Sequence, residues 1–399
     1  MFPNILAFDL THPARLIPLV AAGCAALSLG AFATPARAAD SGWTAAYVGT
    51  YTQGKSKGIY VSHFDPKTGS LSPLELAAET PNPSFLAVSR NRRHLYAVNE
   101  ISTYEGKPAG SVSAFTVDPA SGKLTLLNAQ TSGGPGPCHL SLDTDEKRLF
   151  VANYGGGSFE VIPILAGGAL DKPSWFLQQH GSGLNPQRQE APHGHFIAMD
   201  PSARGVLACD LGLDKVFMFD IDRAKNVLLP HDPPFAQVLP GAGPRHFAYG
   251  RNGRFIYVVN ELNSTVAVLK YEKHSGSAEL IQSISTLPAG FTGETSCAEI
   301  AVHPNGKFVY ASNRGHDSLA IFSINTRDGK LTLVGHQPTL GKNPRHFEIH
   351  PSGRWIIAAN GGSNTLAVFA VDPASGLLSQ TGPLVEAPIP VCVQFAHFP

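Results

Sequence analysis

Charged residues are scarce in this chain, and their signs balance. Asp, Glu, Lys and Arg make up 15% of the 399 residues, with 30 acidic against 30 basic side chains. Proteins that bind nucleic acids usually carry a basic block or stripe, and this sequence has neither. We therefore expect no nucleic-acid partner.

Cysteine is also rare, with five residues in the whole chain. The four beyond residue 40 never form a Cys-x-x-Cys pair, which disfavours both a structural zinc site and a disulfide framework. We expect them to be buried thiols that fill small core positions. They are Cys138, Cys209, Cys297 and Cys392.

Glycine and proline are plentiful by contrast, with 40 and 32 residues, as suits many short strands and turns. The stretch 243–268, GPRHFAYGRNGRFIYVVNELNSTVAV, predicts two strands joined by a tight Asn252-Gly253 turn and the start of a third strand. Five other stretches repeat this pattern, and every second strand ends on a small polar residue. These residues are Asn99, Asn153, Asp210, Asn260, Asn313 and Asn360, with steps of 54, 57, 50, 53 and 47 by subtraction.

A period of about 50 residues with about four short strands per unit is the sequence signature of a β-propeller. Six units are complete, and a seventh is divided between the chain ends. AAYVGTYT at 45–52 is a second strand without its first, and PVCVQFAHF at 390–398 supplies the missing strand. We therefore predict an all-β, seven-bladed β-propeller over residues 40–399, with four antiparallel strands per blade. One blade shared by the N- and C-terminal strands closes the ring and removes an exposed sheet edge.

Residues 1–39 have the pattern of an export signal peptide. Arg15 precedes an apolar run at 16–32, and Ala36-Arg37-Ala38 supplies a small-x-small cleavage site. We expect an exported, periplasmic protein that is free of the membrane after cleavage and works as a monomer. The alternatives are a disordered leader, an inner-membrane anchor, or lipid attachment at the weak lipobox 21–24.

One end of the predicted channel concentrates His, Arg and Glu. The first strand of each propeller blade lines the axis, and its start lies beside the end of the antiparallel second strand. Residues at these two places therefore meet at one mouth. The Asn that recurs at the second-strand ends indicates a structural cap, so the other His, Arg and Glu residues at this mouth are the candidates for chemistry. They are Glu100, His139, His193, His195, Arg245, His246, Glu261, Arg314, Arg345 and His346.

The repeats resemble the lactonase family of seven-bladed β-propellers, which includes 6-phosphogluconolactonases and carboxy-muconate lactonizing enzymes. The resemblance spans about Tyr47 to Pro399 and is carried by four segments. They are YVGTYT, GPCHLSLDTDEKRLFVANYGGGS, PHGHFIAMDPSARGVLACDLGLDKVF and GPRHFAYGRNGRFIYVVNELNSTV. In the muconate-lactonizing relatives the site is a His, a Glu and two Arg at the channel mouth. The matching residues here are His195 or His193, with Arg245, Glu261 and Arg314.

Lactone hydrolysis needs an activated water, a stabilised oxyanion and a grip on the sugar acid. We expect Glu261 to be the general base and His195 the acid or the water-orienting group. Arg245 and Arg314 would bind the oxyanion and an anionic group. His193, His139, Arg345 and His246 form a second rank of substrate-binding candidates. Two structural alternatives stay open: an ion pair between Arg245 and Glu261 within one blade, and repeated histidines that only link blades.

The expected function is hydrolysis of a sugar-acid lactone, either 6-phosphogluconolactone or an unphosphorylated aldonolactone, without cofactor or metal. Export favours the unphosphorylated substrate, because phosphorylated sugar acids are made in the cytoplasm. One alternative is a carboxy-muconate cyclase, which needs the same residue types. Another is a non-enzymatic binding propeller, favoured if the channel mouth is shallow and Glu261 is also held in ion pairs. A calcium cage from Glu100, Asn153, Asp210 and Asn260 or a transition metal in the His-rich mouth are further alternatives.

Overall fold

The structure is a computed structural model that describes residues 42–272 and 275–399. Within these two ranges thirty strands form seven antiparallel sheets, which confirms the predicted seven-bladed propeller. The predicted signal peptide, 1–39, lies outside the described residues. In the ranges that the structure covers, no helix is long and apolar enough to cross a membrane.

Each blade contains four strand positions, and the outermost position of blades 1 and 7 is split into two short strands. The strands of blades 1 to 3 are β1 Trp43–Thr50, β2 Gly58–Asp65, β3 Ser70–Leu71, β4 Glu75–Glu79; β5 Leu86–Val88, β6 His94–Asn99, β7 Ser111–Val117, β8 Leu124–Thr131; β9 Pro137–Leu142, β10 Arg148–Asn153, β11 Ser158–Pro163 and β12 Trp175–Gln178. Those of blades 4 and 5 are β13 Gly194–Met199, β14 Gly205–Asp210, β15 Lys215–Asp222, β16 Val227–Gln237; β17 Pro244–Tyr249, β18 Phe255–Asn260, β19 Thr265–Tyr271 and β20 Ala278–Ser285. Those of blades 6 and 7 are β21 Ser296–Val302, β22 Phe308–Arg314, β23 Ser318–Ile324, β24 Leu331–Pro338; β25 Pro344–Ile349, β26 Trp355–Asn360, β27 Thr365–Val371, β28 Leu378–Gln380 and β29 Val385–Glu386. The last strand is β30 Pro390–Phe398, which returns to blade 1.

The ring closes through β30, as the sequence predicts. β30 pairs antiparallel with β1, from Trp43 opposite Phe398 to Thr50 opposite Pro390. The innermost strands β5, β9, β13, β17, β21, β25 and β30 contact one another in that order, and β30 contacts β5 again. The innermost strand of every blade therefore lines a central channel.

The hydrophobic core consists of seven clusters, one at each interface between adjacent blades. An aromatic side chain on the second strand also reaches the outer hairpin of the next blade at five interfaces. For example, the hydroxyl of Tyr47 donates to Gly122 O (3.0 Å) and that of Tyr257 donates to Gly329 O (3.1 Å). Trp355 Nε1 donates to Pro66 O (2.9 Å) across the closing interface. Because adjacent blades share one core, the ring is a rigid frame for residues at its mouth.

The repeated Asn caps backbone and hydroxyl groups between strands. Asn153 Nδ2 donates to Ser132 O (2.7 Å), Asn313 Nδ2 to Thr286 O (2.9 Å) and Asn360 Nδ2 to Thr339 O (2.9 Å). All three side chains are fully buried. These contacts give the repeated residue the structural role that its recurrence indicates. The four cysteines of the described residues are buried free thiols, also as expected.

Glu160 in β11 is a buried carboxyl group without a charge partner among the described residues. Its side chain is 2% exposed, and Oε2 has no hydrogen-bond partner. Burial raises its pKa from 4.5 to about 8. Because the folded protein holds this proton more tightly than the unfolded chain, the free energy of unfolding should be highest below about pH 4.5. It should fall as pH rises towards 8.

The substitution Glu160→Gln should therefore stabilise the protein at alkaline pH. We expect a gain of about 2 kcal/mol at about pH 8.5 and little change at about pH 5, because an amide cannot ionise. Urea unfolding at both pH values measures the difference, with Glu279→Gln on the surface as the control. An equal effect of Glu160→Gln at the two pH values would contradict the prediction.

Candidate active site

The candidate site begins at irregularities in the innermost strands. In β9, β13, β17 and β25 the pairing with the second strand skips the second residue, which leaves that residue in a β-bulge. A bulge aims its side chain away from the regular alternation of the strand and is frequent beside active sites. The bulged residues are Cys138, His195, Arg245 and Arg345.

Glu261 lies beside the bulge of blade 5, directly after β18. Its backbone N–H donates to Gly243 O (2.7 Å), just before β17. Arg245 Nε donates to Glu261 Oε2 (2.9 Å), and Arg314 Nη2, at the end of β22 in the next blade, lies 2.8 Å from the same oxygen. The structure thus brings together three of the four catalytic residues that the sequence predicts.

A third guanidinium comes from a residue that the sequence analysis missed. Arg188 Nη2 donates to Glu261 Oε1 (2.6 Å) and to the hydroxyl of Tyr154 (3.2 Å). Arg188 belongs to the long connection between β12 and β13, and its side chain is 41% exposed, whereas that of Glu261 is 5% exposed. The unusual length of this connection was the only sequence signal for it.

A buried neighbour anchors the connection that carries Arg188. Gln189 is fully buried, and its Nε2 donates to Asp214 Oδ1 (2.8 Å) and Leu211 O (2.9 Å). Its Oε1 accepts from the backbone N–H of Asn185 (3.0 Å). These bonds fix the backbone next to Arg188, so its guanidinium is held against the mouth despite its exposure.

The charges of this cluster determine its protonation. Burial alone would raise the pKa of Glu261, but Arg314 and Arg245, and then Arg188, outweigh burial and lower the pKa to about 2. Burial lowers the pKa of Arg245 to about 10, with Arg345 and Arg314 adding to the shift. Glu261 is therefore ionised at neutral pH, with both oxygens engaged by guanidinium groups. This setting does not favour the general-base role expected for Glu261.

His195 is neutral and close to the arginine cluster. It is 3% exposed, and burial, followed by the charge of Arg245 and by His246, lowers its pKa well below the ordinary value. Its Nδ1 lies 3.6 Å from Cys138 Sγ, and among the described residues no hydrogen bond to its Nε2 is present. A neutral imidazole with one unoccupied nitrogen can accept a proton from water.

The structure separates His195 from His193. His193 Nδ1 lies 3.0 Å from Tyr154 O, and its Nε2 lies 3.3 Å from Glu190. The His193 ring also stacks on Tyr154 with centroids 4.4 Å apart. Both of its nitrogens are therefore engaged, whereas the bulged His195 occupies the position that Arg245 and Arg345 have in their own blades.

Arg345 has few partners for a largely buried cation. Its side chain is 18% exposed, its Nη2 is 3.9 Å from Glu100 Oε2, and its guanidinium lies 5.5 Å from the Tyr51 ring centroid. The Tyr51 hydroxyl donates to the same carboxylate at 3.0 Å. Arg345 is close enough to lower the pKa of Arg245. Its remaining N–H donors are available to an anion at the mouth.

His139 and His246, two of the predicted substrate-binding residues, follow bulged residues and lie one step deeper in the channel. His139 packs between Phe85 and Phe196, with centroid distances of 4.3 and 4.0 Å. His246 contacts Glu299. A cavity of about 320 Å³ is lined by His139, His346, Glu299 and Glu348. Among the described residues, no group of three or more His, Cys, Asp or Glu side chains could hold a metal ion.

Comparison with known proteins gives a consistent match. A family model described as a lactonase with a seven-bladed β-propeller matches residues 45–395. A 6-phosphogluconolactonase of Bacillus subtilis (strain 168) is 37% identical over 351 residues, which are 88% of this chain and 98% of the relative. The structure of the periplasmic gluconolactonase PpgL of Pseudomonas aeruginosa is 34% identical, with a TM-score of 0.84, over 90% of this chain and 100% of that one. A crystal structure from Bacteroides fragilis is 38% identical, with a TM-score of 0.83, over 90% and 98%.

Proposed function

The chain belongs to the family of seven-bladed β-propeller lactonases, and we propose that it hydrolyses a sugar-acid lactone at the channel mouth. The observation that carries this proposal is the placement of a neutral histidine, His195, and the guanidinium groups of Arg245 and Arg345 at the β-bulges of blades 4, 5 and 7. A base and oxyanion-binding donors are what hydrolysis of a cyclic ester requires. The β-bulges place the base and the oxyanion-binding donors on one rigid ring.

In the proposed reaction His195 Nε2 accepts a proton from a water molecule whose oxygen attacks the lactone carbonyl carbon. Negative charge develops on the carbonyl oxygen, and Arg245 stabilises it. The bond from the carbonyl carbon to the ring oxygen then breaks. The protonated His195 returns its proton to the leaving ring oxygen, so that the products are a carboxylic acid and a hydroxyl group. The acid then releases its proton to solvent and becomes a carboxylate. Glu261 takes no proton in this scheme, because it holds Arg188, Arg245 and Arg314 in place.

The mouth favours a negatively charged ligand. Four guanidiniums, those of Arg188, Arg245, Arg314 and Arg345, form ion pairs with two carboxylates, those of Glu100 and Glu261. Among these six groups the positive charges exceed the negative ones by two. The oxyanion and the product carboxylate use this charge with any lactone, and a phosphate on the sugar would use more of it. We propose Arg345 as the residue that binds such a phosphate, because it has the fewest protein partners.

A pH-stat assay of acid release tests the proposed function. Purified protein is given glucono-1,5-lactone and 6-phosphogluconolactone in parallel, with and without EDTA, and spontaneous hydrolysis is subtracted. We expect release from at least one lactone that EDTA does not change. No release above background from either lactone would overturn the proposal and leave muconate cyclisation or partner binding to be tested.

The substitution Arg345→Met tests the assignment of the phosphate. We expect KM for 6-phosphogluconolactone to rise about 10- to 100-fold, as for the loss of a charge-assisted hydrogen bond. KM for glucono-1,5-lactone should change less than about threefold, because it lacks the phosphate. Arg327→Met, in an exposed turn between β23 and β24, is the matched control. Equal increases of KM for both lactones would contradict the assignment.

We also propose that the protein is exported and acts as a monomer. The predicted leader 1–39 supports export, and the related P. aeruginosa gluconolactonase is described as periplasmic. Amino-terminal sequencing of the protein from a native cell envelope fraction should begin near Ala39. A mature protein that begins at Met1 would overturn the proposal of cleavage.

A further inference from the structure

Glu299 lies in the channel, one step behind the residues of the mouth. It is 7% exposed, and three N–H groups face its carboxylate, two of which form hydrogen bonds with it. Its Oε1 is 2.9 Å from the backbone nitrogen of Ile300, while its Oε2 is 3.0 Å from His246 Nδ1 and 3.3 Å from His346 Nε2. A buried carboxyl group with this many donors and no place in the proposed reaction needs another role.

The neighbours of Glu299 determine which nitrogen of each histidine carries hydrogen. The backbone N–H of Val393 donates to His346 Nδ1 (3.3 Å), so hydrogen is on Nε2, which faces Glu299. Arg245 Nη1 donates to His246 Nε2 (3.3 Å), which leaves the hydrogen of His246 on Nδ1, again facing Glu299. Burial lowers the pKa of both histidines, His346 to about 4, so neither carries a second hydrogen. The contacts at Nδ1 and at Nε2 of His246 therefore both require the Nδ1–H tautomer.

His246 in turn supports Arg245. Besides His246, Arg245 Nη1 donates to Ala298 O (2.7 Å), and Nε donates to Glu261. These three bonds, to His246, Ala298 and Glu261, fix the orientation of the Arg245 guanidinium. Among the described residues Nη2 has no hydrogen bond, so its two donors are the ones left for a ligand at the mouth.

We propose that Glu299 is a positioning residue that holds His246 in the Nδ1–H tautomer and thereby orients Arg245 for the oxyanion. The inference rests on the proposed lactonase function. It assigns a chain of contacts, from Glu299 through His246 to Arg245, that links the channel interior to the mouth. Partners of this kind fix ligand-binding side chains without touching the ligand.

The substitution Glu299→Gln breaks this chain while keeping the side-chain shape. A glutamine has one acceptor oxygen and an amide that donates, so it cannot present an acceptor to all three N–H groups. If the amide N–H of the new glutamine faces His246 Nδ1, the hydrogen of His246 moves to Nε2. Two N–H donors, those of His246 and Arg245, then point at each other. We expect kcat to fall about 10- to 100-fold, as for a misplaced catalytic group, with KM changed less than about threefold.

Glu348→Gln is the matched control. Glu348 lines the same cavity, has a pKa raised to about 8 by burial and by Glu299, and makes no hydrogen bond to His246 or Arg245. Its substitution should leave kcat within about twofold of the wild type. A second variant, His246→Gln, gives Arg245 a carbonyl acceptor that has no tautomers. In that background, adding Glu299→Gln should reduce kcat by less than about threefold.

Nitrogen-15 spectra of histidine side chains test the tautomer without relying on turnover. His246, assigned by the signals lost in His246→Gln, should show hydrogen on Nδ1 in the wild type and on Nε2 in Glu299→Gln. Hydrogen on Nε2 in the wild type, or a wild-type kcat in a folded Glu299→Gln protein, would overturn the inference. Absence of lactonase activity in the wild type would overturn the proposed function, and the spectra would still decide the tautomer.

Discussion

Replacement of His195 by asparagine should lower kcat for the preferred lactone by about 100-fold or more, the usual contribution of a positioned general base. His195 is the neutral imidazole at the mouth whose Nε2 has no bond within the described residues. Asparagine can keep a polar atom near the position of Nδ1, but it does not reach the position of Nε2 and cannot accept the proton of water at neutral pH. KM should change little, because the proposed reaction assigns substrate binding to the arginines.

The pH profile gives a second measurement for His195. A base acts only when deprotonated, so activity should fall as pH drops through its pKa. Burial and Arg245 lower that pKa well below the ordinary 6.5, and we expect a constant kcat/KM between about pH 6 and 7.5. His303→Asn, a buried histidine at the opposite end of β21, is the control. A His195→Asn protein with more than about a third of wild-type kcat would exclude His195 as the base.

The substitution Glu261→Gln should destabilise the protein by about 3–5 kcal/mol, as expected when one partner is removed from a buried ion pair. Glu261 is 4% exposed and is the shared acceptor of Arg188, Arg245 and Arg314. Glutamine leaves guanidinium charge in the mouth without a counter-charge. Denaturant unfolding at neutral pH measures the loss, which should exceed that of Glu100→Gln, the equivalent residue after the second strand of blade 2.

The pH dependence of stability should identify the same carboxylate. Its pKa is lowered from 4.5 to about 2, so its contribution is complete above about pH 4.5 and is lost as pH falls towards 2. This difference corresponds to about 3 kcal/mol. Glu261→Gln should remove that acid-sensitive part of the unfolding free energy. A wild-type acid slope in the variant would show that other carboxylates are responsible.

The fold could be predicted from the sequence because a closed ring repeats its unit. Each blade buries the same faces against its neighbours, so strand, turn and terminal Asn recur at a nearly constant spacing. Even the divided blade was predicted, since AAYVGTYT lacks a first strand and PVCVQFAHF lacks a second. Repetition also identified the capping role of Asn153 and its equivalents, because a framework residue recurs and a catalytic residue does not.

The candidate site was less predictable because its geometry depends on departures from the repeat. The β-bulges that single out His195 and Arg345 arise from pairing with a second strand, which one strand's sequence does not specify. Arg188 reaches Glu261 from 73 residues away, through a connection whose course is set by the buried Gln189. Whether the general-base role expected for Glu261 holds was not predictable for the same reason, since it depends on the arginines that the fold brings around the carboxylate. The sequence around a glutamate does not show whether its carboxylate is free for proton transfer or is surrounded by three arginines.

The pairing of β30 with β1 also determines at which face of the propeller the chain enters β1 and leaves β30. Trp43 lies opposite Phe398 at the end of the closing blade away from the mouth, whereas Thr50 and Pro390 lie at the mouth end. The described chain therefore enters β1 and leaves β30 on the face opposite His195 and Arg345. Immobilisation on a solid support through a linker joined directly after β30 should therefore leave the proposed catalytic mouth open to solution.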